Sequence, residues 1–343
     1  MRAIANLSPR RLRVAACATL VAFLWGYATP ASAYLKFGVS AGGKQVVLKW
    51  AQQPVRYFVS AQSSVPGVAV SDFEGAVARA FATWQAVPTA SVAYQYGGLT
   101  DARPGEDDGS STLGFESHPE MDRVLASTSF LIDETTGALI ESDIFFNSSF
   151  SWSVAPNGEP NRYDLESIAL HEIGHFNGLG HSALGETQLD EDGGRTVLSS
   201  GAVMFPIAFT AGSIAGRTLR ADDIAGITDL YPTEAFASFG SLSGRVTKNG
   251  TPLFGAHVVA FDPATQKMVA GFTLTDDGQF SIGGLSPGPK VVRVEPLDDA
   301  DVDSFFDESH PVDVDFRVMF FNRLVVVPRG GDSGQITLTV TPK

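Results

Sequence analysis

Eleven consecutive residues, His171-Glu172-Ile173-Gly174-His175-Phe176-Asn177-Gly178-Leu179-Gly180-His181, restrict the fold of this chain more than any other stretch. On a helix, His171 and His175 lie one turn apart and point the same way, so both imidazoles can reach one ion. Gly178 permits the positive φ that ends a helix and swings the chain back. His181 can then approach the same point from outside the helix. The fold must therefore supply a helix, a glycine break and a return. Three neutral imidazoles suit zinc and leave its fourth position open, as in catalytic rather than structural zinc sites. Glu172, beside His171, can face that open position without ligating.

A carboxylate so placed can take a proton from water attacking a polarised carbonyl and hand it to the leaving amine. Peptide-bond hydrolysis is the reaction this set predicts, with His171, His175 and His181 as metal ligands and Glu172 as general base. The other histidines, His118, His257 and His310, are isolated and are expected to be ordinary surface or loop residues.

The start of the chain reads as an export signal. Arg2, Arg10, Arg11 and Arg13 form a basic region, residues 14–26 a short apolar run, and Ala31-Ser32-Ala33 a small-x-small cleavage pattern. Cleavage is expected between Ala33 and Tyr34, and the apolar run is too short for a bilayer span. Cys17, the single cysteine, leaves with this segment, so the remainder has neither a disulfide nor a thiolate ligand. Four positive charges leave as well, and the formal net charge moves from −14 to −18. Such a surface repels nucleic acid and membrane phosphates. The expected address is extracellular, with periplasmic or envelope retention left open, and the expected state is a monomer acting on protein or peptide.

With 343 residues and 44% hydrophobic content, the chain can build two cores. Residues 45–48 and 55–60 read as strands. Ser71-Asp72 opens a helix with Phe73, Val77, Phe81 and Trp84 on one face. Residues 91–96, 124–132 and 140–146 are further strands, and 97–122 is a loop rich in Gly, Asp and Ser. Helices are predicted at 164–176, with Asp164 as N-cap, and at 221–230. After Tyr231-Pro232 no helical period remains; residues 236–244 are small and flexible. Short strands at 244–248, 256–261, 290–294, 316–327 and 335–340 then alternate with turns, the pattern of an all-β sandwich.

The extended motif H-E-x-x-H-x-x-G-x-x-H resembles that of the metzincin metallopeptidases, whose other mark is a methionine turn beneath the ligands. Met204, in Ser200-Gly201-Ala202-Val203-Met204-Phe205-Pro206, is the candidate for it. Ser182, Pro206 and the run Leu219-Arg220-Ala221-Asp222-Asp223-Ile224-Ala225-Gly226-Ile227 resemble the matrixins, the matrix-metalloproteinase-like family. Trp50, Tyr57 and Ala80-Phe81-Ala82-Thr83-Trp84 extend the likeness over residues 45–232. The resemblance implies an α+β domain, with a twisted mixed sheet, an active-site helix and a C-terminal helix. It also implies a substrate-binding edge strand at 124–130 and a specificity loop at 207–217.

Several residues depart from the matrixin pattern. Ser127 and Phe145 stand where that family carries histidines for a second, structural zinc, so only one zinc is expected. Asn147 and Phe150 replace acidic calcium ligands. The acidic runs 190–194 and 298–303 offer carboxylates to calcium, but a run alone fixes no coordination geometry, and solvated loops are expected. No cysteine remains to cap the metal. The C-terminal region resembles the carboxypeptidase regulatory-like domain at Gly244-Arg245-Val246, Asn249-Gly250-Thr251-Pro252-Leu253 and Gly284-Leu285-Ser286-Pro287-Gly288. The expected organisation is a signal over 1–33, a matrixin-like zinc peptidase over 34–235 and a β-sandwich over 240–343. The alternative is an inactive zinc-binding adhesion protein whose sandwich carries the function, and Glu172 weighs against it.

Overall fold

Residues 11–16, 35–41, 44–189, 195–298, 302–306 and 311–343 are described by the computed structural model. The predicted cleavage point, Cys17, the acidic run 190–194, His310 and residues 299–301 of the run 298–303 lie outside the described residues. Strands β1 (Arg11–Ala16), β2 (Gly38–Ala41), β3 (Lys44–Val47), β4 (Lys49–Trp50) and β5 (Val55–Ser60) precede helix α1 (Val70–Gln85). Then follow β6 (Tyr94–Thr100), β7 (Ser111–Glu116), β8 (Ala126–Asp133) and β9 (Ala138–Asn147). They form a mixed sheet of order β1-β8-β9-β7-β5-β6, with β4 also on β9. β5, β6, β7 and β9 run parallel, whereas β8 is antiparallel to β9 and β1 to β8.

The stripe predicted on α1 is the one that is buried: Phe73, Val77, Phe81 and Trp84 pack into the same core as Val55, Tyr57 and Val59 of β5. Two expectations need correction. Residues 97–122 are not one loop, because β7 lies within them as a central strand between β5 and β9. Its six residues sit among Gly, Asp and Ser turns, and the first four are buried in succession, so no alternation marks them. Residues 11–16, expected to stand apart from the fold, pair along the outer edge of β8, whose backbone groups are open to an added strand.

The remainder of the first half is β10 (Trp152–Ser153), β11 (Tyr163–Asp164), α2 (Leu165–Phe176), the hairpin β12 (Gly185–Leu189) and β13 (Arg195–Ser200), and α3 (Ala221–Leu230). The second half starts almost at once. A short 3-10 turn, Glu234–Ser238, replaces the expected flexible linker, and β14 (Gly240–Lys248) follows directly. Strands β15 (Thr251–Pro252), β16 (His257–Phe261), β17 (Met268–Phe272), β18 (Gln279–Leu285), β19 (Gly288–Glu295), β20 (Met319–Phe320), β21 (Val325–Val327) and β22 (Asp332–Val340) complete the chain. One sheet has the order β15-β14-β18 with β22 on β14; the other has β17-β16-β19-β20 with β21 on β19. Leu242, Phe280 and Leu338 of the first share a core with Val258, Val292 and Val294 of the second. Among the described residues no helix is long and apolar enough to cross a membrane.

His257 corrects another expectation. It is a buried strand residue, with Nδ1 3.1 Å from Glu295 Oε1.

The two halves share apolar clusters. Leu184 and Ala202 pack with Val259 and Ala270, and Ala225 of α3 lies in the β core. At this seam the buried Asp222 accepts from Ser182 Oγ at 2.6 Å and from the Ala270 backbone N–H at 2.8 Å. Burial pushes its carboxyl up to about 7, against the lowering effect of both bonds. An unfolded aspartate titrates at about 4, so the folded state holds this proton more tightly. The stability it contributes is full below about pH 4 and is lost as pH rises through about 7. Asp222→Asn is expected to flatten part of the fall in Tm across that window, which thermal unfolding at several pH values would check. A pH profile parallel to the wild type's would overturn the assignment.

Candidate metal centre

The histidine-bearing helix α2 is held at both ends and along its length. Asp164 caps its start, accepting from Ser167 N–H at 2.9 Å, and is itself pinned by the Arg217 guanidinium. Two indoles bond its carbonyls: Trp84 Nε1 donates to Leu170 O and Trp50 Nε1 to Phe176 O, both at 2.8 Å. At the C-terminal end Gly178 adopts φ +99°, where a Cβ would overlap the Leu48 carbonyl. The chain then turns back past Leu179. Residues 35–37 line this turn, Gly180 N–H donating to Leu35 O and Phe37 N–H to Gly178 O.

His171, His175 and His181 converge, with their ligand atoms within 4.8 Å of one another. Among the described residues they are the group of metal-binding side chains close enough to share an ion. Each directs Nδ1 at a backbone carbonyl: His171 at Val203 O (2.7 Å), His175 at Leu179 O (2.8 Å) and His181 at Ser304 O (3.0 Å). A carbonyl only accepts, so each Nδ1 carries the proton and each Nε2 keeps its lone pair. Two such lone pairs, on His175 and His181, face each other at 3.2 Å. Burial holds all three rings below the ordinary imidazole range, His171 down to about 3 with His181 adding to the effect. Three neutral, inward-facing donors of this kind fit a zinc ion.

Glu172 is buried beside them. Thr128 Oγ1, on β8, donates to its Oε2 at 2.6 Å. Desolvation pushes the carboxyl up to about 7, and the Thr128 bond opposes that rise. Met204 lies buried beneath α2. The adjacent Val203 carbonyl is the one that orients His171, and Asp223 fixes this turn by accepting from the N–H groups of Val203 and Met204 at 2.9 and 3.1 Å. Thr128, Asp223 and Ser304 were not singled out by the sequence. Their partners stand 44, 20 and 123 residues away, and no local pattern marks such pairs. Ser127 is buried in β8, and the Phe145 ring lies 4.4 Å from that of His118. His118 itself bonds Glu116 and Glu120.

The family model described as Matrixin matches residues 49–190, which include all three histidines and Glu172. Residues 49–190 are therefore similar to the matrixin family of metallopeptidases. It is 27% identical over 222 residues to Metalloendoproteinase 1-MMP of Arabidopsis thaliana, covering 59% of this chain and 50% of the relative. Metalloendoproteinase 4-MMP of the same plant is 26% identical over 194 residues, 56% of this chain and 49% of its own. Metalloendoproteinase 5-MMP is 40% identical, but over 88 residues, 23% of this chain and 19% of its own. The chain thus spans about half the length of the first two relatives.

Gly174 lies between His171 and His175 because the methionine turn needs the room. A Cβ there would overlap Met204 Sδ and come within 3.0 Å of Trp84 Cζ2. Gly174→Ala is expected to cost about 1–3 kcal/mol by overpacking. Thermal unfolding and zinc content measure the effect, and an unchanged Tm would rule out this close packing.

Proposed function

We propose that the chain is an exported zinc-dependent endopeptidase in which His171, His175 and His181 hold the metal, Glu172 is the general base and Met204 supports the site from below. The observation that carries this reading is the convergence of three imidazoles whose Nδ1 protons are all taken by carbonyls. Their lone pairs face inward, and among the described residues no protein proton meets them. A bound zinc would polarise the scissile carbonyl and make water a competent nucleophile at neutral pH.

The chain's own residues supply the rest. Glu172 accepts the proton of the attacking water on its carboxylate and delivers it to the leaving amine nitrogen. Thr128 keeps that carboxylate aimed by its bond to Oε2. An extended substrate adds to the outer edge of β8 by main-chain hydrogen bonds, which select backbone shape more than side chain. The pairing of residues 11–16 with β8 supports such a pose, since it ends with Ala16 opposite Thr128, beside Glu172. Removal of residues 1–33 as a signal would free this edge. The division into a peptidase region over 34–235 and a carboxypeptidase-regulatory-like β-sandwich over 240–343 belongs to the same proposal, as does monomeric action on protein substrates. Calcium has no support from the described side chains.

A cleavage assay on a generic protein substrate tests the reading. Wild type is expected to cleave and to stop when a chelator removes zinc. Glu172→Gln should retain zinc while losing ~10²–10⁴-fold in kcat, the range for removing a positioned general base. A wild-type protein that binds one zinc and cleaves nothing would instead favour the zinc-binding adhesion reading.

A further inference from the structure

We propose that the C-terminal β region is a working part of the metal centre, with the turn at Val302–Ser304 positioning His181 for the ion. This rests on the reading of the three histidines as metal ligands. It goes beyond that reading by assigning one ligand's orientation to the appended region.

The three carbonyls that hold the imidazoles do not come from one place. Val203 belongs to the methionine turn and Leu179 to the loop after α2, both within the first half. Ser304 belongs to the second half, 123 residues beyond His181, in the 3-10 turn that follows β19. A ligating histidine depends on the acceptor of its other ring proton, which fixes the tautomer and the ring plane; losing such a partner typically weakens metal binding 10–100-fold. His181 is also the ligand most in need of it, because it stands on an irregular segment after the glycine break, whereas His171 and His175 are set by the helix.

The turn carrying Ser304 is anchored on the β side. Phe305 and Phe306 both donate their N–H to Val302 O, closing the turn. Phe306 packs against Phe254 and Phe272, with ring centroids 5.4 Å away in each case, and Phe305 and Phe306 are buried with Phe272 and Leu297. Phe305 reaches across, its ring edge-on to His181 at 6.4 Å, and Ala183 and Leu35 pack on the same cluster. Around this contact the seam is continuous. Asp222 joins Ser182, the residue after His181, to the Ala270 backbone, and Leu184 packs on Val259 and Ala270. The β region therefore reaches the metal centre directly through Ser304 and Phe305, and indirectly through the residues that follow His181.

The test uses the full chain and zinc itself, with affinity read by competition against a chromogenic chelator. Phe306→Ala, which loosens the turn without touching a ligand, is expected to weaken zinc binding 10–100-fold and to shift the visible bands of the cobalt-substituted protein. Phe306→Leu is expected to restore most of the affinity. Leu338→Ala, in the β core and away from the turn, should lower Tm while leaving zinc affinity unchanged. Wild-type affinity in Phe306→Ala, or an equal loss in Leu338→Ala, would overturn the proposal.

A second measurement needs no variant. In the zinc-loaded wild type, nitrogen-15 spectra of the histidines should show a protected Nδ1 proton on His181 as on His171 and His175. Its absence from His181 alone also overturns the proposal. A wild type that binds no zinc at all would sink the metal reading itself, a separate outcome.

Discussion

Everything at this site depends on where three imidazole protons go. Because Val203, Leu179 and Ser304 offer carbonyls to the three Nδ1 atoms, the three Nε2 lone pairs are left facing one another. Burial keeps the rings neutral, and neutral rings with inward lone pairs repel unless a cation lies among them. Much of the surrounding structure serves this arrangement. Trp84 and Trp50 fix α2 through its own carbonyls, Asp164 and Arg217 fix its start, and Asp223 fixes the turn that presents Val203.

The acid proposed as general base and the acids that hold shape differ in setting rather than in burial. Glu172, Asp222 and Asp223 are all buried and all have raised pKa values. Asp223 spends its carboxylate on backbone N–H groups of the methionine turn and of Arg220, and Asp222 spends its own on Ser182 and Ala270. Glu172 is bound by the Thr128 hydroxyl and stands next to His171, a setting that suits the proposed role of proton carrier. The seam that Asp222 bridges also brings the second half of the chain to the metal centre, through Ser304.

Local signals were readable wherever one element's own residues decide its state. The stripe of α1, the Asp164 cap and the glycine after α2 follow from spacing and from backbone preference, and α3 occupies the predicted 221–230. Strands β7, β17 and β18 were missed for one shared reason. They are short, carry glycine or sit between turn residues, and take their extended form from the strands they pair with: β5 and β9 for β7, β16 for β17 and β14 for β18. His257 was misplaced as a surface residue because burial of a lone histidine depends on the sheet around it and on Glu295.

By itself the sequence determined that one helix would present two histidines and a glutamate, that Gly178 would break it, and that a third histidine would follow within reach. Spacing along a single chain segment settles those points, since helix geometry and glycine's freedom are local properties. Only the tertiary structure decided which carbonyl each imidazole faces, that Thr128 aims Glu172, and that the β region supplies the acceptor for His181. Those contacts join residues up to 123 positions apart, and the hydrophobic packing that creates them acts across the whole molecule.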